Sequence, residues 1–346
     1  MKILAVGDTY IPESVMKAGL WQLEKAGYDV TVRQWKHQNL EALQMDNLLI
    51  EQQGPEAVVM PDDLFSDIHQ YDIVIVQFTP LSQKILARAT NLKLIGVLRG
   101  GTENIDVKYA ASKNIAVANT PGRNARAVAE FTVALMFSEI RNIARSHTAL
   151  KNKVWLKEFP NSAGIPELLD KTVGLVGVGH IGQLVAGYLK AFGCRLIAYD
   201  PYVANAEGIE MQSLEAVMRQ SDIISIHARY TEDTHHLISQ KEIALMKPNA
   251  VLINTARSGL VDQQSLVQAL KEKRIQGAAL DVFDAEPIPE DDEILHLDNI
   301  TITPHLAGST ADAFSNSPKL FCSRLMQTIE QGCDMTIVNG VKLNLP

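Results

Sequence analysis

The sequence predicts an α/β protein with two doubly wound parallel-sheet domains. Short apolar strands alternate with helical segments from Lys2 to Ala118, and the alternation resumes from Val173 to Thr303. The second stretch also carries a Gly-x-Gly-x-x-Gly turn directly after an apolar strand. Alternating strands and helices form parallel sheets with helices on both faces, and 346 residues suffice for about two such domains.

The first third of the chain predicts one complete sheet. Expected strands are Lys2–Val6, Asp29–Trp35, Asp72–Gln77, Leu94–Leu98 and Ile115–Ala118, and expected helices are Pro12–Ala26, about 40–53, 82–89 and 106–113. This third has no phosphate-binding glycine loop, which suggests a separate domain with a different task.

The middle and end of the chain predict a long helix, a second sheet and a helical return. Apolar residues fill nearly every position from Val128 to Phe137, so a helix over about 125–150 should be largely buried. It suits either an interface between domains or subunits or the core of one domain. Strands are then expected at 173–176, 195–199, 223–227, 250–254, 278–282 and 300–303. A helix over about 311–331, with Pro318 at a start or kink, precedes a tail, 335–339, that should pack on the first domain.

The bulk composition disfavours several classes of partner. The net charge is −8, with 32 basic and 40 acidic residues and no basic block, so nucleic acid and anionic membranes are not expected partners. Cys194, Cys322 and Cys333 lack metal-ligand spacing and are expected to be thiols in a reducing compartment. Met1 leads directly into a strand, and no apolar run is long enough to span a bilayer, so we expect a cytoplasmic protein.

The glycine turn predicts a dinucleotide site. Gly177 permits a tight turn, Gly179 lets the backbone approach a pyrophosphate, and Gly182 lets helix and strand pack closely. The helix that follows offers free N–H groups to the phosphates. Asp200 ends the next strand, where it would bind the adenosine ribose hydroxyls and repel a 2′-phosphate. NAD is therefore favoured over NADP, with Tyr202 against the adenosine.

Three residues that follow later strands predict the reaction chemistry. Arg257, Glu286 and His305 come after successive strands, at the sheet edge where ligands of such folds bind. A guanidinium can hold a substrate carboxylate in a bidentate fork. An imidazole can give a proton to a carbonyl oxygen and take it back, and a carboxylate beside it fixes its tautomer. Hydride transfer to a 2-keto acid requires these three groups, a guanidinium, an imidazole and a carboxylate.

The sequence resembles the D-isomer-specific 2-hydroxyacid dehydrogenase family, particularly its phosphoglycerate dehydrogenase-like members. The resemblance extends from about Asp72 to Gln331. The matching motifs are Gly177–Gly182 with Asp200, Asn254–Arg257, Asp281–Phe283 through Glu286–Pro287, Thr303–His305, Gly101–Asp106 and Asn119–Gly122.

The resemblance implies a domain division and a set of site residues. It implies a discontinuous, flavodoxin-like substrate domain (1–118 and 312–346), a Rossmann NAD domain (119–311), a cleft between them, and a homodimer. Arg257, Glu286 and His305 are the implied catalytic residues, with Asp281 near the nicotinamide. The full expected cofactor set is Gly177, Gly179, His180, Ile181, Gly182, Asp200, Tyr202, His227, Thr234, Thr255, Ala256, Asp281 and His305.

Departures from the family pattern concern the substrate, a small 2-keto or 2-hydroxy acid. The amides of Gly100 and Gly101 are expected to bind its carboxylate, together with Arg257. Arg99 suits either a distal anion of the substrate or a surface salt bridge, and Phe78 is expected to narrow the pocket. The loop after His227 lacks the family's proline, and Arg123 and Arg126 suit either anion contacts or solvated charges.

Two other functions fit parts of the pattern. A formate dehydrogenase of the same fold needs no residue to protonate a substrate carbonyl, so the pairing of Glu286 with His305 disfavours it. An NAD-sensing protein similar to transcriptional corepressors is also compatible with the dinucleotide motif, although nothing in the sequence resembles a peptide-docking extension.

Overall fold

The computed structural model describes residues 1–332 and 335–345, which places Cys333 outside the described residues. The chain forms two compact units, one of Met1–Arg123 with Thr310–Pro346 and one of Asn124–Ser309. Each unit has a parallel sheet with helices, which confirms the predicted α/β class.

The first unit is built on a five-stranded parallel sheet with strand order β2-β1-β3-β4-β5. Its strands are β1 (Lys2–Gly7), β2 (Asp29–Gln34), β3 (Ile73–Val76), β4 (Leu94–Val97) and β5 (Ala116–Asn119). Its helices up to this point are α1 (Glu13–Lys25), α2 (Leu40–Gln53), α3 (Asp62–Phe65), α4 (Gln83–Leu86) and α5 (Val107–Ser112), with a 3-10 turn at Ile68–Gln70. The order 2-1-3-4-5 is that of flavodoxin-like sheets.

Both faces of this sheet are covered, as the apolar strands predict. Leu4 and Val74 belong to the core on one face, and Ile3 and Ile73 belong to the core on the other. Successive side chains of a strand point to opposite faces, so a strand buried on both sides must be apolar throughout.

The second unit is built on a seven-stranded parallel sheet with strand order β12-β11-β10-β9-β6-β7-β8. Its strands are β6 (Thr172–Val176), β7 (Arg195–Tyr199), β8 (Glu210–Met211), β9 (Ile223–Ile226), β10 (Val251–Asn254), β11 (Gly277–Leu280) and β12 (Ile300–Ile302). Its helices are α6 (Ala125–Ile140), α7 (Ile143–Lys151), α8 (His180–Ala191), α9 (Leu214–Gln220), α10 (Gln240–Ile243) and α11 (Gln263–Lys271), with 3-10 turns at Ser162–Gly164, Glu232–Thr234, Ser258–Leu260 and Glu293–His296.

The strand order reverses between β6 and β9, which is where ligands bind in doubly wound sheets. The six predicted strands are confirmed, and β8 is additional. With two residues, β8 is too short to give a periodic signal in the sequence.

The prediction of one long helix over 125–150 is wrong. The helix ends after Ile140, and Asn142 adopts a left-handed conformation with φ 57° before α7 begins. The side chain of Asn142 donates to Oδ1 of Asn161 at 2.6 Å, and Nδ2 of Asn161 donates to the carbonyl of Ile140 at 3.0 Å. α6 contributes Ala129, among others, to the core of the second unit, so within this unit it is a core helix.

The C-terminal helices and tail return to the first unit. They are α12 (Ala311–Ser315) and α13 (Ser317–Gln331), with Pro318 in the first turn of α13. In the tail, Ile337 pairs with Ala118 of β5, and Asn339 binds the amide of Val117 and the carbonyl of Ile115. Among the described residues, no helix is long and apolar enough to cross a membrane.

Candidate active site

The glycine loop after β6 has the geometry of a phosphate-binding turn. Gly177 has φ 98°, and a Cβ there would lie 2.7 Å from the amide nitrogen of Ala228. A Cβ on Gly182 would overlap the carbonyl oxygen of Gly177. Both positions therefore require glycine for the fold of the turn itself.

Gly179 differs because nothing lies within 4 Å of the Cβ it would carry. It is the N-cap of α8, and no side chain caps that helix, so the first amides of α8 lack the usual side-chain acceptor. Open space above a glycine and uncapped amides fit a pyrophosphate. The residues present thus fit a dinucleotide.

Asp200 closes the loop from the end of β7. Its Oδ2 accepts a hydrogen bond from the amide of Val178 at 2.9 Å, and its Oδ1 accepts one from the amide of Tyr202 at 2.9 Å. Asp200 therefore shapes the glycine turn in addition to presenting a carboxylate. Tyr202 is 94% exposed.

The loop after β9 forms one wall of a cavity of about 470 Å³ in the second unit. Nε2 of His227 lies 2.9 Å from Oγ of Ser225, and burial lowers the pKa of His227 to about 4, so its ring is neutral at physiological pH. Thr234 donates to the carbonyl of Arg229 and accepts from the amide of Thr231, which holds the loop as a 3-10 turn without the family's proline. The cavity lining also includes Ile181, Thr255, Ala256 and Arg257.

Arg257 is positioned by Asn254, the last residue of β10. Oδ1 of Asn254 accepts from the amide of Ala256 at 3.0 Å, and its Nδ2 donates to the carbonyl of Arg257 at 2.9 Å. The guanidinium of Arg257 is exposed and donates to the carbonyl of Ala256. It forms no ion pair with any described residue, so its fork remains available to a carboxylate.

Glu286 and His305 form the expected pair. Nδ1 of His305 lies 2.7 Å from Oε2 of Glu286, whose other oxygen accepts from the amide of Phe283 at 3.0 Å. Because a carboxylate only accepts hydrogen bonds, Nδ1 of His305 donates to Glu286, and Nε2 is left for a second partner. His305 has φ 53°, an uncommon conformation for a residue other than glycine.

The loop that carries His305 is held by Asp281. This carboxylate is fully buried and accepts three hydrogen bonds, from Oγ1 of Thr303 at 2.6 Å and from the amides of Leu306 at 2.9 Å and Ala307 at 2.8 Å. A contact between Asp281 and the nicotinamide remains a prediction. The supporting roles of Asp281 and Asn254 were not foreseen, although both lie in the motifs that carry the family resemblance.

The first unit contains the expected substrate residues after β3 and β4. The amides of Gly100 and Gly101 donate no hydrogen bond to any described residue, and the carbonyl of Gly100 accepts from the side chain of Asn119. Arg99 forms ion pairs with Glu51 at 2.6 Å and Glu103 at 3.2 Å, which is the salt-bridge alternative. Its guanidinium also lies 5.1 Å from the ring centroid of the buried Phe78.

Comparison with known proteins identifies the family. The sequence model described as "D-isomer specific 2-hydroxyacid dehydrogenase, NAD binding domain" matches residues 133–307. The chain belongs to this family. It is 38% identical over 285 residues, 80% of its length, to the D-3-phosphoglycerate dehydrogenase of Methanocaldococcus jannaschii, of which the match covers 53%. It is 40% identical over 257 residues, 73% of its length, to the hydroxypyruvate reductase of Thermotoga maritima, of which the match covers 83%.

The same family relation appears among solved structures. The NAD-dependent formate dehydrogenase of Staphylococcus aureus in complex with NAD is 25% identical, with a TM-score of 0.69 over 99% of this chain and all of that one. The chain therefore carries the NAD-binding domain of the D-2-hydroxyacid dehydrogenases. It spans only about half the length of the phosphoglycerate dehydrogenases that it matches.

Two glycine substitutions separate cofactor binding from folding. Gly179→Ala is expected to weaken NADH binding by about tenfold or more without lowering the melting temperature, because its methyl group enters space that only a ligand would use. Gly182→Ala is the matched control and should lower the melting temperature, since its methyl group overlaps the backbone of Gly177. Fluorescence titration with NADH and thermal unfolding measure the two effects. Equal behaviour of the two variants would contradict the assignment of Gly179 to the pyrophosphate.

Proposed function

We propose that this protein is an NAD-dependent oxidoreductase that interconverts a small D-2-hydroxy acid and its 2-keto acid. The observation that carries the proposal is the 2.7 Å contact between His305 and Glu286 in a chain with the family's NAD-binding domain. The names of the relatives, a dehydrogenase of 3-phosphoglycerate and a reductase of hydroxypyruvate, support the same reaction class.

His305 moves the proton. In the oxidation direction Nε2 takes the proton of the substrate hydroxyl, and in the reduction direction it returns that proton to the carbonyl oxygen. Glu286 holds the ring through Nδ1 and stabilises the imidazolium that forms. NAD or NADH held at the glycine loop would supply the hydride chemistry that accompanies this proton transfer at the carbon that carries the oxygen.

Arg257 binds the substrate carboxylate through its unpaired fork and so orients the adjacent carbon. In the first unit, the free amides of Gly100 and Gly101 are proposed as further donors to a carboxylate. The cofactor residues of the second unit are proposed in their expected roles. The pyrophosphate would lie on the amides of Gly179, His180 and Ile181.

A panel of 2-keto acids tests this function directly. The purified protein is mixed with NADH and glyoxylate, hydroxypyruvate or phosphohydroxypyruvate, and the loss of NADH absorbance is followed. Turnover of at least one acid is expected, and D-stereochemistry of the product completes the assignment. Formation of NADH from formate would favour the formate dehydrogenase reaction instead. Tight NADH binding without turnover of any acid would favour an NAD-sensing protein.

Asp200 is proposed to set the preference for NADH. Asp200→Asn keeps an oxygen that can accept from Val178 while it removes the charge. The ratio of kcat/KM for NADH to that for NADPH is expected to fall by about 10-fold or more, because the charge no longer repels a 2′-phosphate. Steady-state kinetics with both cofactors measure the ratio. An unchanged ratio would assign the preference to another residue.

A homodimer is proposed from the exposed apolar side chains of the second unit, and a cytoplasmic location stays a prediction. The second unit exposes Ile143, Leu150, Val154, Trp155 and Leu156, and clustered apolar side chains in one segment are typical of subunit interfaces. Light scattering at micromolar concentration distinguishes a dimer from a monomer.

A further inference from the structure

Arg123 is a cation of the first unit that no described carboxylate contacts directly. It follows β5, is half-buried, and forms no ion pair with any described residue. Its guanidinium lies 4.5 Å from the ring centroid of Phe314, and Nη1 lies 3.5 Å from Oγ of Ser317. Arg99, by contrast, is neutralised by two glutamates.

A carboxylate lies within electrostatic range of Arg123 but does not neutralise it. Asp8 follows β1, is fully buried, and uses Oδ1 to accept from the amides of Tyr10 and Ile11, while Oδ2 has no hydrogen-bond partner among the described residues. Burial raises the pKa of Asp8 to about 6, and the hydrogen bonds from backbone amides, followed by His37, oppose this rise. Burial also lowers the pKa of Arg123 to about 10, with Arg99 acting in the same direction and Asp8 against it, so Arg123 stays charged at neutral pH.

Aromatic rings connect these groups into one cluster. Tyr10 stacks on Phe314 with centroids 4.2 Å apart and lies 5.8 Å from Phe78. Arg123 lies over the ring of Phe314, and Arg99 lies over the ring of Phe78. Aromatic rings packed against a guanidinium reduce its hydration. They therefore strengthen its attraction for an anion when it has no ion pair.

The loop that ends at Arg123 is tied to the loop with the free amides. The amide of Thr120 donates to the carbonyl of Arg99, and the side chain of Asn119 donates to that of Gly100. Two groups with donors free for an anion thus lie on neighbouring loops of one unit. The amides of Gly100 and Gly101 suit the carboxylate that every 2-keto acid has. The guanidinium of Arg123 is left for a second anion.

We propose that Arg123 binds a second anionic group of the substrate, a carboxylate or a phosphate, so that the preferred substrates are 2-keto acids with an anion at the far end. This inference rests on the proposed function. In this proposal, Arg123 distinguishes acids with a second anion from acids without one, and Arg99 only forms structural ion pairs.

The test compares pairs of acids that differ only in the second anion. Arg123→Met keeps an apolar side chain against Phe314 and removes the charge. With NADH, it should lower kcat/KM for 2-oxoglutarate and phosphohydroxypyruvate by about 30- to 300-fold. It should leave kcat/KM for 2-oxopentanoate and hydroxypyruvate within about threefold. The larger loss identifies whether the carboxylate or the phosphate is the natural group.

Equal losses within each pair, or no loss, would overturn the proposal. Arg126→Met, at an exposed arginine three positions later, is the matched control and should change neither pair.

A second variant is expected to increase kcat/KM, and a misfolded protein would not show such an increase. At pH 8, Asp8→Asn removes a negative charge near Arg123 and should raise kcat/KM for the acids with a second anion by about three- to tenfold. A decrease or no change for these acids would contradict the proposed site.

Binding without turnover separates this inference from the reaction itself. Inorganic phosphate should raise the melting temperature of the wild-type protein and of Arg126→Met, and this increase should be lost in Arg123→Met. If no acid is reduced but the phosphate effect depends on Arg123, the anion site stands and the proposed reaction fails. If acids are reduced and neither kinetics nor phosphate depends on Arg123, the reaction stands and the anion site fails.

Discussion

Replacing His305 by asparagine is expected to lower kcat for the reduction of a 2-keto acid by roughly 100- to 10,000-fold. Asparagine cannot give a proton to the carbonyl oxygen, so the developing negative charge is no longer neutralised in the transition state. The effect should appear in kcat and in kcat/KM alike, because the lost interaction forms only during the reaction.

The fold should tolerate this change for a structural reason. His305 has φ 53°, and asparagine is among the residues that adopt positive φ most readily. The loop also keeps its three hydrogen bonds to Asp281, none of which involves the imidazole. The melting temperature and the affinity for NADH should therefore stay close to the wild-type values.

Two further variants complete the test of His305. His296→Asn makes the same substitution at an exposed position and should leave turnover unchanged. Glu286→Gln keeps a hydrogen-bond acceptor for Nδ1 but removes the charge. Its kcat should therefore lie between that of the wild type and that of His305→Asn. Near-normal turnover by His305→Asn would remove His305 from the proposed role.

Replacing Arg257 by alanine is expected to lower kcat/KM by about 100- to 1,000-fold, which corresponds to about 3–4 kcal/mol. The guanidinium has no ion pair among the described residues, so its charge is available to the substrate carboxylate. Its loss removes both binding energy and orientation of the reacting carbon. The affinity for NADH should change by less than about threefold, because the glycine loop is untouched.

Arg257→Lys shows which property of the arginine matters. Lysine keeps the charge but not the planar fork, so only a part of the activity should return. The carbonyl of residue 257 still accepts from Asn254 in both variants, which protects the local turn. A kcat/KM of Arg257→Ala equal to that of the wild type would exclude the carboxylate contact.

The sequence alone predicted the sheets and the residue types of the site, because both depend on local patterns. Apolar runs such as Ile73–Val76 indicate strands buried on two faces wherever they occur. Strand ends in a parallel sheet share one edge, so polar residues that follow the strands can be grouped before any distance is known.

Features that depend on distant partners were not predictable in this way. The helix break at Asn142 is stabilised by Asn161, which lies 19 residues away, while the apolar pattern continues through the break. Arg99 is paired with Glu51, 48 positions earlier, and no local pattern in the sequence indicates a partner at that distance. No local pattern indicates the hydrogen bonds of Asp281 to a loop that begins 22 positions later, while its place near the nicotinamide stays a prediction from the family resemblance.

The tail at residues 335–345 has a consequence for the solubility of the protein. β5 is an edge strand of the first sheet, and exposed edges offer unpaired backbone groups to other chains. Ile337 pairs with Ala118, Val338 donates to the carbonyl of Val117, and Asn339 binds the amide of that residue. Residues 337–339 thus occupy backbone groups of the edge along which a neighbouring molecule could otherwise extend the sheet.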